Sequence, residues 1–174
     1  APNLFRTNAG SIKNTNIHPI FYTLEEWSFQ LQTFLQSFGL VLLALSFFQP
    51  NLLLHLLSAG LLPLVNLLLF IYWFPLLLCL LGGRYEDFFQ LVPIALQLMF
   101  LLTPILYKRE TLGALSWTAD FNPLYRVLSN LRHALIAGEV NFDQSLSILL
   151  LNLLGVFLSV WLLQRQRRQL PFLV

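Results

Sequence analysis

The side chains able to do chemistry in this 174-residue chain are few: eight Asp and Glu, three His and one Cys. Arg84, Glu86 and Asp87 stand together in one hydrophilic loop. His18, His55 and His133 are scattered without ligand spacing and read as interfacial or loop histidines, so no metal site is expected. Cys79 is alone inside an apolar run, which excludes a disulfide framework and a cysteine zinc site. No GxxxxGK[ST] phosphate loop occurs, since Gly82-Gly83-Arg84 lacks the lysine that would reach a phosphate. The serines lack a GxSxG elbow, and no Ser/His/Asp set stands out. No pair of carboxylates lies inside an apolar run, which argues against a proton-coupled transporter built on intramembrane acids. The chain is expected to be no enzyme, with no catalytic residue.

What remains is a question of placement, and the elements that do the placing are apolar. The chain is 57% hydrophobic and 10% charged, with a mean hydropathy of +0.70. Soluble domains carry roughly 25% charged residues, so a water-soluble globule is excluded. The net charge of +2 gives no reason to invoke nucleic acid, whereas four Trp and sixteen Phe suit a bilayer. Residues 88–107 form an uncharged run of about twenty residues, the length a helix needs to cross ~30 Å of hydrocarbon. Pro93 and Pro104 inside it would be costly in a soluble helix and are commoner in membrane helices.

Three further spans are expected at 27–48, 52–81 and 146–163. The first carries Gln30, Gln32, Gln36 and Ser37, so that half should face protein or water. The second is longer than one crossing needs, about 45 Å as a straight helix. Pro63 and Pro75 would either break it or permit a kink and tilt. Asn66, a lone amide deep in the run, is expected to make an interhelical hydrogen bond. Tyr72, Trp73, Phe74, Phe100 and Tyr107 are expected mostly toward lipid or the interface, a minority lining a path.

Between the last two spans lies the one long polar segment, 108–145. Leu124, Val127, Leu128, Leu131 and Leu135 recur there at three- and four-residue spacing. Pro123 suits a first helical turn and Gly138 a stop, predicting an amphipathic helix over 123–137 that carries Arg126 and Arg132. Trp117 would anchor its approach at the interface. Counting lysines and arginines, the ends and the 82–87 loop hold six against four in 108–145, which puts both ends in the cytoplasm. Ala1 is no initiator and no signal-peptide pattern precedes the first span, so the chain reads as processed or as the C-terminal part of a longer protein.

Arg84-Tyr85-Glu86-Asp87 before a span ending Thr103-Pro104-Ile105-Leu106-Tyr107, then Asn122-Pro123-Leu124, Arg132-His133-Ala134-Leu135 and Gly138, resembles the permeases of type-2 ABC exporters. The branch it is most similar to moves polysaccharides and polyol phosphates, such as O-antigen, capsule and teichoic acid. Upstream, Asn8-Ala9-Gly10-Ser11-Ile12-Lys13 and Pro19 are similar to the cytoplasmic segment between that family's second and third helices. Glu86 departs from the pattern, where the loop position is commonly basic.

The resemblance implies an all-α integral membrane helical bundle, a single permease domain over 1–174. Its four transmembrane helices would be the third to sixth of six, with a re-entrant or interfacial helical segment before the last. Residues 1–26 and 164–174 would be cytoplasmic and 108–145 a periplasmic gate. Ile12, Lys13, Arg84, Tyr85, Glu86 and Asp87 would meet the ATPase, the alternative for Arg84 and Asp87 being snorkelling and an inter-loop ion pair. Tyr107, Trp117, Asn122, Pro123, Arg126 and Arg132 would line the gate or substrate path, the two arginines being otherwise solvated helix charges. The implied setting is a bacterial inner membrane, with a second permease copy, a separate ABC ATPase carrying ATP and Mg, membrane lipid and a lipid-linked glycan as partners. The chain itself would hold no cofactor. A drug or small-lipid exporter of the same superfamily, and a membrane scaffold without a pathway, are the alternatives.

Overall fold

The computed structural model describes residues 4–14, 18–84, 88–103 and 122–166, and every element among them is helical. In chain order these are α1 Leu4–Thr7, α2 Ala9–Asn14, α3 Ile20–Ser46, α4 Leu52–His55, a π turn Leu56–Gly60, α5 Leu61–Arg84, α6 Phe88–Leu102, α7 Pro123–Ala137 and α8 Phe142–Gln166. Tyr85, Glu86, Asp87, Tyr107 and Trp117 lie outside the described residues, and of Lys13 and Arg84 only the backbone is described.

Three runs are long and apolar enough to cross a membrane: Ile20–Ser46, Leu52–Gly82 and Phe142–Gln166. The expected span 88–107 is represented by α6, whose 15 residues reach about 22 Å, short of the ~30 Å hydrocarbon core. The rest of that run, 104–107, lies outside the described residues, so three crossings stand among them. The helix of the first expected span, α3, begins seven residues ahead of Trp27, at Ile20, whose backbone N–H donates to the His18 ring at 3.2 Å. His18 thus acts as a cap at the start of α3.

Pro63 and Pro75 do not break the second run. Helix continues from Leu52 to Arg84 through the π turn, with Pro75 inside α5. Proline removes the N–H that would bond the carbonyl four residues back, here those of Ala59 and Ile71. At Pro63 the loss falls beside the π turn, where the hydrogen-bond register is already rewritten.

The surface is inverted relative to a soluble protein. Phe47 and Phe48 are 89% and 85% exposed, and Leu40, Leu54, Leu57, Leu154 and Phe157 also point outward. The buried face of α8 is instead small and polar: Ser145, Asn152, Gly155 and Ser159 recur every three or four residues, with Ile148 and Leu163. Small residues let helices approach, and amides and hydroxyls then bond across them instead of facing hydrocarbon. On α3 the hydroxyls of Ser28, Thr33 and Ser46 bond back to carbonyls of their own helix, while Gln30, Gln32 and Gln36 are exposed.

The chain divides into two compact units, Ala1–Val41 with Leu68–Val92 and Leu151–Val174, and Leu42–Leu67 with Pro93–Leu150. In the first, Phe5, Ile12 and Tyr22 are buried with Leu76, Cys79, Leu80 and Leu163. Burying a side chain the size of Phe5 contributes ~1.5–3 kcal/mol, enough to hold the short α1 and α2 in place. Ile12 therefore seats α2 by packing inward. Trp73 donates its indole N–H to Asn152 Oδ1 at 2.9 Å. It stands edge-on to Phe70 and Phe74, with Gly155 beneath its ring. Trp73 is thus a helix-to-helix fastening and not a lipid-facing ring. Trp27 and Tyr72 meet edge to face at 5.6 Å and, with Glu26 and Gln30, line a cavity of ≈270 Å³. The second unit holds the site described next.

Candidate functional site

The site is built around α7, the helix that Pro123 and Gly138 delimit. Pro123 opens it because a first-turn residue needs no N–H partner and its φ is already helical. Asn122 is the cap: its backbone is extended, at φ −78° and ψ 111°, and its Oδ1 accepts the Leu124 N–H at 3.0 Å. Gly138 closes the helix at φ +70°, its N–H donating to the Ala134 carbonyl at 3.1 Å. It holds the only positive φ among the described residues, a left-handed conformation that a side chain would strain.

The Asn122 amide does more than cap. Its Nδ2 donates to the Met99 carbonyl at 3.0 Å and to Thr103 Oγ1 at 2.7 Å. Thr103 in turn donates its hydroxyl to the Met99 carbonyl at 2.6 Å. Asn122 and Thr103 are 7% and 2% exposed, so these bonds exchange with no water and fasten the start of α7 to the end of α6. The residue before Pro104 and the residue before Pro123 thus share one joint.

A second fastening lies further along α7. Asn130 donates to Ser145 Oγ at 2.8 Å, and Asn66 donates to the Ser145 carbonyl at 2.9 Å. All three residues are buried, so Ser145 ties α5, α7 and the first turn of α8 together. The expected interhelical bond of Asn66 is therefore present, with a backbone carbonyl as its acceptor. The buried face of α7 is Val127, Asn130, Leu131 and Ala134, with Leu124, Leu128 and Leu135 half-buried beside it. Arg126 and Arg132 are exposed, away from that face.

Of the twelve residues singled out for the site, the structure brings Asn122, Pro123, Arg126 and Arg132 onto one element. Ile12 belongs to the packed core of the other unit. Residue-type reasoning passed over Asn130, Ser145 and the pairing of Thr103 with Asn122. Asn130 and Ser145 carried a signal nonetheless: each is a polar minority member at helical spacing from apolar neighbours, which in a membrane helix marks the buried face. The Thr103–Asn122 bond carried none, because it joins positions 19 apart with no local pattern between them.

Three long apolar helices with outward leucines, two of which (α5 and α8) bury the polar residues Asn66, Ser145, Asn152 and Ser159, define a multi-pass membrane protein, here with a capped, amide-fastened helix ahead of its last span. The family model described as ABC-2 type transporter matches residues 15–136, more than half of the chain, and the chain belongs to that family. No curated protein and no solved structure matches it. The chain is accordingly an ABC transporter permease, of a kind that is typically the non-catalytic membrane subunit. Membership implies an ATPase partner.

Proposed function

We propose that this permease exports a lipid-linked polysaccharide across the bacterial inner membrane, driven by ATP and Mg bound on separate ATPase subunits, and that α7 belongs to its outer gate. The observation that carries the reading is the α6–α7 joint. Thr103-Pro104 and Asn122-Pro123 are the motif pairs in which the chain is similar to polysaccharide exporters, and Asn122 bonds Thr103 directly at 2.7 Å. A gate helix has to be attached at a defined hinge, and two buried polar side chains on adjacent elements supply one.

In this reading two permease copies enclose the path, and the exposed Gln32 and Gln36 of α3 face a partner or a polar conduit, since unsatisfied amides are costly in hydrocarbon. The ATPases press on the cytoplasmic segments around Lys13 and 84–87, and the helices part in response. The work of this chain is a shift between closed and open populations. Co-expression with an ABC ATPase and a lipid-linked glycan tests it: Arg132→Glu should lower glycan export at least ~10-fold, about 1.4 kcal/mol of lost mouth electrostatics, while leaving co-purification with the ATPase unchanged. Undiminished export by that variant would remove Arg132 from the path, and failure of the wild-type complex to export any glycan would sink the polysaccharide reading.

The orientation has its own test. Single cysteines at Gln144 and Gln166, in a Cys79→Ala background, should label from opposite sides of the membrane, Gln144 from the periplasm. Labelling of both from one side would overturn the placement of the C-terminus in the cytoplasm.

A further inference from the structure

The far end of α7 is held by a residue that the motifs leave out. His55, the last residue of α4, places Nδ1 3.1 Å from the Leu135 carbonyl oxygen. A carbonyl only accepts, so Nδ1 carries the proton and donates. The same ring lies against Gly138: a Cβ there would come 2.7 Å from His55 Cδ2 and 2.8 Å from Nε2. Gly138 thus serves twice, by taking a left-handed φ and by leaving room for the imidazole.

Directly after His55 comes the π turn Leu56–Gly60. A π turn carries one residue more than an α-helical turn, is rare, and recurs at functional sites. Here its last two residues, Ala59 and Gly60, are buried, and a Cβ on Gly60 would stand 3.6 Å from Leu135 Cδ2. Gly60 of the π turn and the ring of His55 therefore meet the same end of α7, at Leu135 and the capping Gly138. If residues 56–60 return to α-helical geometry, the short α4 directly before them, which carries His55, rotates by about 100° and shifts by ~1.5 Å relative to α5, one residue's worth of helix. That motion takes the imidazole away from the Leu135 carbonyl. The π register and the hydrogen bond thus stand or fall together, which makes this corner a two-position element of the kind that amplifies small shifts.

We propose that His55 is a positioning residue of the gate: its ring latches the C-terminal end of α7 to the π turn, and conversion of that turn to α-helix releases it. This rests on the reading of α7 as gate. The Asn122 joint is the hinge at one end of the helix, and the His55 latch is the catch at the other.

Hydrogen exchange followed by mass spectrometry on the complete permease–ATPase complex in nanodiscs tests it, with the nucleotide-free and vanadate-trapped ATP states compared. In the wild type, residues 52–60 and 132–140 should exchange faster together in the trapped state. His55→Phe fills a similar volume without a donor and should show that faster exchange already without nucleotide, by roughly three- to tenfold, the factor one hydrogen bond contributes. Gly138→Ala should do the same by displacing the ring, and adding His55→Ala to it should produce little further effect. Wild-type exchange in His55→Phe, or fully additive effects of the two substitutions, would overturn the latch. Faster exchange with unaltered export and an unaltered nucleotide response would reduce His55 to a local fastening and overturn its positioning role, leaving glycan export standing. Absence of glycan export by the wild type, with the nucleotide-dependent exchange intact, would instead remove the substrate reading and leave the latch.

Discussion

Replacing Gly155 by alanine should destabilise the chain by about 2–4 kcal/mol, combining overpacking with the loss of a buried hydrogen bond. The added Cβ would stand 2.5 Å from Trp73 Cδ2 and 2.6 Å from Cε2, closer than any real contact. The indole has little room to yield. Its N–H is committed to Asn152, and Phe70 and Phe74 stand edge-on to it at 5.5 and 5.8 Å. Moving the ring breaks the bond to Asn152, which is fully buried. Thermal unfolding of the detergent-solubilised chain, read by loss of monodisperse elution, should show the drop. Adding Trp73→Phe should restore part of it, because the smaller ring withdraws the clashing atoms even though Asn152 loses its donor. Wild-type stability for Gly155→Ala would mean that the ring is free to move, and the close approach of the two helices would lose its support.

Asn122→Ala should cost a similar amount, ~2–4 kcal/mol, from a lost helix cap and from the buried oxygens of Thr103 and Met99 left without the amide donor. Asn122→Asp separates the two contributions. A carboxylate still caps Leu124, but it donates nothing and faces the Met99 carbonyl, so the hinge fails while α7 keeps its start. If the joint matters to transport, Asn122→Asp should retain assembly with the ATPase and lose most export. Equal export by Asn122→Asp and the wild type would show that Asn122 is a cap and nothing more.

These two sites also mark how far the sequence reaches. Membrane class, the α7 boundaries and the inward turn of Asn66 follow from local rules: uncharged length, proline before and glycine after a periodic run, and the cost of a bare amide in hydrocarbon. None of those rules says which partner an amide will find. Asn122 bonds Thr103, 19 positions away, a partner that no local pattern names. Trp73 belongs to a set of aromatics expected mostly toward lipid or the interface, and it is found bonding Asn152, 79 positions away. The π turn was illegible for a different reason. Leu56-Leu57-Ser58-Ala59-Gly60 suits an α-helix equally well, and what accompanies the extra residue is contact with α7, a matter of tertiary structure.

The small, polar stripe on α8 bears on how the protein is made. Ribosomes deliver α5 before α8, so Asn152 and Ser145 enter the bilayer only after Trp73 and Asn66 are already there to receive them. Until it docks, α8 displays three buried-type polar residues, Ser145, Asn152 and Ser159, and a glycine groove to lipid, the kind of surface by which membrane proteases and chaperones can tell an orphan helix from an assembled one. Substitutions that make α8 more hydrophobic along that stripe would ease its insertion and at the same time erase the mark of incomplete assembly. A chain improved for the translocon in this way would accumulate misassembled instead of being removed.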